Sequence, residues 1–204
     1  HAPGHSCGRE PVQVVASQDI RQIAVAGKRT TLVAADGSAW STGWDQGGML
    51  GIGSAVSAVG TVGDDQSLPT QITTPSDVVS AAVNTQQTYL LAREGTVWAA
   101  GMNYNGRLCV GSYSGAVYQD PDANSDSAPE STPIVIPGLD DVVHIAVGGD
   151  YVGTKAVIKT DGSVWSLSPS AHEQITFGSD LVGVAVGHRH AIFVVDDGTV
   201  WSQG

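Results

Sequence analysis

The chain has 204 residues, 41% of them apolar and only 14% charged, with 26 glycines and a formal net charge of −11. That length buries a substantial core as one or two domains. The Gly-rich, charge-poor composition excludes a helical bundle or a disordered tail and suits many short strands joined by tight turns. The acidic balance disfavours nucleic acid and anionic membrane, both of which attract basic surfaces, and suits solubility or the attraction of a basic partner.

No apolar run approaches the roughly 20 residues that span a bilayer as a helix, so no membrane insertion is expected. The first residues carry no charged leader followed by an apolar stretch, which leaves a signal peptide either removed or never present. His1-Ala-Pro-Gly-His5 reads as a mature start or as a tag remnant. Two cysteines, Cys7 and Cys109, are compatible with one disulfide in an oxidising compartment or with two unrelated thiols.

In chain order, one unit appears four times, beginning near Pro11, Pro69, Pro133 and His172. The repeats run over about 11–68, 69–132, 133–171 and 172–204 of a single domain spanning 1–204. The first unit opens on Pro11-Val-Gln-Val14, continues through an apolar run, Ile20–Val25, then Thr31–Ala35, then Asp36-Gly37, and closes on a strand carrying Trp40. The second repeats this as Pro69-Thr-Gln-Ile72, Tyr89–Ala92, Glu94-Gly95 and Trp98. In the third the elements are Pro133-Ile-Val-Ile136, Val142–Val147, Ala156–Lys159, Asp161-Gly162 and Trp165, with Gly149–Gly153 inserted. The fourth gives His172-Glu-Gln-Ile175, Ile192–Val195, Asp197-Gly198 and Trp201. An acidic residue followed by Gly between β-rich runs predicts a hairpin, because Gly accepts the positive φ of the turn. Four strands per unit and this period predict β-propeller blades.

Length variation falls between each Trp and the next unit, long after Trp40 and Trp98 and short after Trp165. Insertions confined to one connection emerge on one face, which is where function is expected. The chain stops at Trp201-Ser-Gln-Gly204, so it reads as four complete repeats cut within a loop.

Two of the long connections carry Gly43-Trp44-Asp45-Gln46-Gly47-Gly48-Met49-Leu50-Gly51-Ile52-Gly53 and Gly101-Met102-Asn103-Tyr104-Asn105-Gly106-Arg107-Leu108-Cys109-Val110-Gly111. These resemble the G-x-N-x-x-G-Q-L-G-x-G signature of the regulator of chromosome condensation repeat family, and the resemblance covers nearly the whole chain. It implies an all-β propeller, usually of seven blades. The chain departs from the pattern in placing Lys28-Arg29-Thr30 where the family often has His. Copy four keeps that residue in Gly187-His188-Arg189-His190. Copies three and four lack the loop signature, and Cys109 replaces a glycine. Four repeats leave a four-bladed ring, part of a larger ring of about seven blades, or a ring completed by another chain or by self-association. The larger ring is the expectation, because an open propeller exposes unpaired edges.

Among residues that carry chemistry, Asp120, Asp122, Asn124 and Asp126 place oxygen ligands at alternate positions, which resembles the start of a calcium loop. Ser125 stands where such a loop has Gly, and Glu130 is one place short of the usual bidentate Glu, so an acidic insertion without calcium is the alternative. His188 and His190, two apart on a strand, would face the same side and could share a metal ion; the alternative is the family's structural histidine. Trp40, Trp98, Trp165 and Trp201 occupy one strand position and read as packing. Trp44 stands outside that series and, with Tyr104, Tyr113 and Tyr118, is a partner-binding candidate, since hot spots favour Trp and Tyr.

The sequence carries no G-x-S-x-G elbow, P-loop or H-E-x-x-H motif, and no enzymatic activity and no resident cofactor beyond calcium are expected. A protein-binding propeller, secreted and of an inhibitory kind like the secreted bacterial propellers of the β-lactamase-inhibitory type, is the leading expectation. A guanine-nucleotide-exchange-like regulator of a small GTPase, and a metal-binding or enzymatic propeller, are the alternatives, because fold alone does not transfer function.

Overall fold

Period-two runs bounded by Gly-containing turns fold as antiparallel ladders, and the described residues form fifteen such strands. A computed structural model describes residues 13–14, 19–53, 65–110, 129–149, 154–169, 172–177 and 181–204. The first sheet comprises β1 (Ile20–Ala26), β2 (Arg29–Ala34), β3 (Ala39–Gly43) and β4 (Gln66–Ile72), and the second β5 (Val78–Val83), β6 (Gln87–Ala92), β7 (Val97–Gly101) and β8 (Glu130–Val135). The third holds β9 (Val142–Val147), β10 (Lys155–Lys159), β11 (Val164–Leu167) and β12 (His172–Ile175). A fourth sheet has three strands, β13 (Leu181–Val186), β14 (Ala191–Val195) and β15 (Val200–Gln203). Each sheet is an up-and-down meander in sequence order, the form of a propeller blade.

The proline segments sit differently from the sequence expectation. Pro69 lies in β4 and Pro133 in β8, and these strands pair with β3 and β7, the tryptophan strands that precede them. The segments that open the second, third and fourth sequence units therefore lie in the outermost strands of the first three blades. The physical reason is proline itself, which donates no ladder bond and is tolerated on an edge.

The acidic-Gly turns do more than reverse the chain. Asp36 Oδ1 accepts the Ser38 amide at 2.9 Å and the Ser38 hydroxyl at 2.7 Å, and Ser38 Oγ accepts the Trp40 indole N–H at 3.0 Å. Thr96 links Glu94 to Trp98 in the same way, and Thr199 links Asp197 to Trp201. In the third blade Ser163 Oγ accepts from Trp165 at 2.9 Å, and its amide donates to Asp161. Each motif [DE]-G-[ST]-x-W thus couples turn, hydroxyl and indole. The hydrogen bonds from Ser38, Ser163 and Thr199 hold the Asp36, Asp161 and Asp197 carboxyls below their usual range.

The core sits between the blades. Val33, Ala39 and Ile72 of the first blade close against Val78, Ala81 and Leu90 of the second. Tyr89, Leu91, Val97 and Ala99 of the second pack on Val142, Ile145 and Val157 of the third. Val164 of the third meets Ala191 and Phe193 of the fourth, where Phe177 stacks on Phe193 at 4.9 Å between centroids. The hairpin turns join this packing. Gly37 O accepts the Val78 amide at 2.8 Å, and Gly95 O accepts the Val142 amide at 3.0 Å, so each turn docks where the next blade's first strand begins.

A paired substitution isolates that docking. Gly95 and Gly198 occupy the same turn position with φ of +89° and +83°. A Cβ on Gly95 would lie 3.0 Å from the Asp141 backbone, whereas one on Gly198 meets nothing within 4 Å. Left-handed strain costs Gly95→Ala and Gly198→Ala alike about 1–2 kcal/mol. Gly95→Ala loses more than Gly198→Ala in urea denaturation, and equal losses would refute the docking role.

Candidate functional site

One end of the first two blades collects the most chemistry. The β1–β2 turn, the β5–β6 turn and the segments that follow β3 and β7 all reach it. Trp44 N donates to Lys28 O at 3.2 Å, and Met102 N donates to Gln86 O at 3.1 Å, so the two loops leave their blades identically. In the first, Asp45 Oδ1 accepts the Leu50 amide at 2.8 Å across a single 3-10 turn, Gln46–Gly48. In the second, Asn103 Oδ1 accepts the Leu108 amide at 3.1 Å across Tyr104–Gly106. Leu50 and Leu108 are fully buried, which anchors each loop to the blade. The signature G-x-[DN]-x-x-G-x-L is therefore a side-chain-capped loop pinned by one leucine.

The glycines of the first loop mark where it crosses onto the second blade. A Cβ on Gly47 would meet Met102, and one on Gly48 would strike the Ser131 backbone at the start of β8. Gly53 N donates to Ser131 O at 2.8 Å. The loop of the first blade is a strap across the second.

Arg29 reinforces the strap from within. Its guanidinium donates to the carbonyls of Met49, Asn84 and Gln87 and to Thr88 Oγ1, bridging its own loop and the second blade. Burial pushes its pKa down to about 10, and nearby Asp45 raises it, so the group stays charged at neutral pH. Gln87 holds the same register position in the second blade and binds Met102 O at 3.0 Å. Asn84 Nδ2 and the Tyr89 hydroxyl both donate to Gln87 Oε1. The sequence signal for Arg29 was its place where the family often has His. Its role as a strut between blades had no such signal, because its partners are carbonyls of distant loops.

Trp44 and Tyr104 lie at this end, both partly buried, on successive loops. Lys28 Nζ stands 4.7 Å above the Trp44 ring, a cation–π contact. Trp44 is the counterpart of Met102, which the preceding blade's Gly47 covers; Lys28 serves Trp44 instead. Tyr113, Tyr118, Asp120, Asp122, Asn124 and Asp126 lie outside the described residues. Glu130, the last acid of that stretch, is the first residue of β8, and partial burial raises its pKa.

Two expectations change. His188 and His190 belong to the exposed turn between β13 and β14, not to a strand, so strand alternation does not align their rings. Among the described residues no group of three His, Cys, Asp or Glu converges to hold a metal ion. A Cys7–Cys109 disulfide is not formed: Cys109 is a free, buried thiol whose Sγ contacts Arg107 O at 3.6 Å, and Cys7 lies outside the described residues. Cys109 takes the place of Gly51 in the second loop and keeps that position's positive φ, at +63°. Burial raises its pKa, against the pull of buried Lys155, whose own pKa burial lowers. A thiol so placed is protonated near neutral pH and is not an activated nucleophile.

No protein-family model matches the sequence, and no curated protein is similar to it. Solved structures do resemble its fold. Human WBSCR16 superimposes with a TM-score of 0.70 at 17% identity, over 91% of this chain and 47% of that one. Yeast RCC1 (Prp20) bound to Kap60 gives 0.70 at 17%, over 95% and 45%. Saccharomyces cerevisiae Prp20p, reported with its binding properties to Gsp1p and histones, gives 0.69 at 18%, over 95% and 47%. The computationally designed Ika4 protein is matched over 98% of its length at 14% identity with a TM-score of 0.50. These likenesses establish the β-propeller fold, and the chain spans about half the length of WBSCR16 and Prp20.

Arg29 and Trp44 separate scaffold from surface. Arg29→Ala leaves buried carbonyls unsatisfied and lowers stability by about 2–4 kcal/mol. Trp44→Ala loses an exposed-site cation–π contact of about 0.5–1 kcal/mol. Chemical denaturation of the two variants reads the difference.

Proposed function

We propose that this chain is the protein-binding part of a propeller, taking its partner on the end formed by the loops after β3 and β7. The observation that carries the proposal is the side-by-side repetition of one capped loop, with Trp44 beneath Lys28 on the first and Tyr104 on the second. Aromatic side chains on a rigid loop supply contact area at little entropic cost, the usual economy of a protein-recognition surface. Length variation in these two connections changes what the surface presents without disturbing the blades. The net charge of −11 favours a partner with a basic face. Secretion and an inhibitory role belong to the same proposal and are supported by composition and by the resemblance alone.

Affinity purification with the intact chain and with the double variant Lys28→Ala/Trp44→Ala tests it. A stoichiometric partner is retained by the intact chain and by Val143→Ala, on the outer face of β9, and is lost by the double variant. Equal capture by all three would remove this end from the binding surface.

A second reading, a regulator of nucleotide exchange on a small GTPase, is favoured by the likeness to Prp20p, whose binding to Gsp1p is reported. It requires accelerated release of fluorescent GDP from a small GTPase on addition of the chain. No acceleration across a GTPase panel would end it.

A further inference from the structure

The acidic residue of each hairpin turn is followed by glycine, and in the first, third and fourth blades it is aspartate: Asp36-Gly37, Asp161-Gly162 and Asp197-Gly198. That pair carries a chemical hazard. The glycine amide nitrogen attacks Cγ of the aspartate, so that an N–C bond forms as a carboxyl C–O bond breaks. The oxygen leaves as water, carrying the amide proton and the carboxyl proton. Water then reopens the five-membered imide. Attack on the Cγ carbonyl restores aspartate, and attack on the other carbonyl leaves the backbone running through Cβ and Cγ, as isoaspartate. Glycine favours ring closure because it sets no side chain beside the attacking nitrogen.

The fold cannot escape the hazard by replacing the glycine. Gly37, Gly162 and Gly198 have φ of +85°, +80° and +83°, where other residues are strained. A Cβ on Gly37 would also lie 2.7 Å from Asp77 Oδ1 and 2.8 Å from Asp77 Cα. Isoaspartate would lengthen the backbone where the first blade seats on the second, since Gly37 O takes the Val78 amide at 2.8 Å.

Both reacting groups are engaged instead. Asp36 Oδ1 accepts the amide and hydroxyl of Ser38 at 2.9 and 2.7 Å, and Asp197 Oδ1 accepts those of Thr199 at 2.8 and 2.7 Å. Asp161 Oδ1 accepts the Ser163 amide at 2.9 Å. The glycine amides donate to Ala34 O at 3.1 Å and to Lys159 O and Val195 O at 3.0 Å. The bonds from Ser38, Ser163 and Thr199 favour the ionised carboxylate, whereas water leaves from the protonated one. The second blade reaches the same end differently. Glu94 Oε1 accepts the Thr96 hydroxyl at 2.9 Å, and its extra methylene would require a six-membered imide, which closes far more slowly.

We propose that Asp36, Asp161 and Asp197 are latent isoaspartate-forming sites, and that the serine or threonine two residues after each one guards it by holding the carboxylate on its own donors. The motif [DE]-G-[ST]-x-W then protects the chain chemically as well as turning it. This role is independent of what binds the loop-bearing end.

Peptide mapping with electron-transfer fragmentation, which tells isoaspartate from aspartate, tests it on the intact chain aged in neutral buffer. All three sites convert slowly in the folded protein and faster in urea. Ser38→Ala raises conversion at Asp36 several-fold and leaves Asp161 and Asp197 unchanged, the two acting as reporters of unfolding within the same molecule. Ser38→Thr returns Asp36 to its original rate, and Asp36→Glu abolishes conversion there. An Asp36 rate unmoved by Ser38→Ala would overturn the proposal. So would a rise that Asp161 and Asp197 share, which assigns it to unfolding, or a folded chain that converts as fast as the chain in urea.

Discussion

Every blade in this chain depends on the face of its neighbour. A lone meander of four short strands has one sheet and no interior, so its apolar residues are buried only when a second sheet is laid over them. Tyr89, Leu91 and Val97 are enclosed by the third blade, and Ala81 and Leu90 by the first, so the second blade has a core only because it has two neighbours. Turn docking and loop straps follow from the same dependence. Gly37 and Gly95 present carbonyls to the first strand of the next blade, and Gly48 lets the strap lie against Ser131. Stability in such an array comes from nearest-neighbour contacts more than from any single blade.

The repeat was legible because its most regular features are set by backbone geometry. A turn that needs positive φ at its second residue selects Gly, and a carboxylate before it satisfies the amide and hydroxyl that follow. The motif that results, [DE]-G-[ST]-x-W, recurs wherever the turn does. The offset between sequence unit and blade was not legible. Pro69 pairs with Trp40's strand across a long connection, and local pattern carries no information about a partner so far away. The strand placement of the histidine pair was not legible for a related reason. Alternation along a strand places side chains on one face, but His188 and His190 fall in the turn, where that rule does not hold.

The loop-bearing end shows how far resemblance reaches. The signature residues explain themselves as scaffold: Asp45 and Asn103 cap, Leu50 and Leu108 anchor, and Gly47 and Gly48 make room. What the signature leaves open is what distinguishes this chain, namely the Lys28–Trp44 stack and an arginine placed where its guanidinium ties the first blade's loop to the β5–β6 turn. Arg29 meets four acceptors from a single side chain, which a lysine could not do with one ammonium.

The short connection from Leu167 to His172 has its own consequence. The first two blades each throw a capped loop from their third strand, and the first loop's glycines fit against the second blade; the third passes directly from β11 to β12. Among the described residues its junction with the fourth blade relies on sheet-face packing around Phe193 and Phe177, without a strap. Under mechanical load the array has a built-in order of release. The fourth blade peels from the third at this seam before the strapped pair of first and second blades parts.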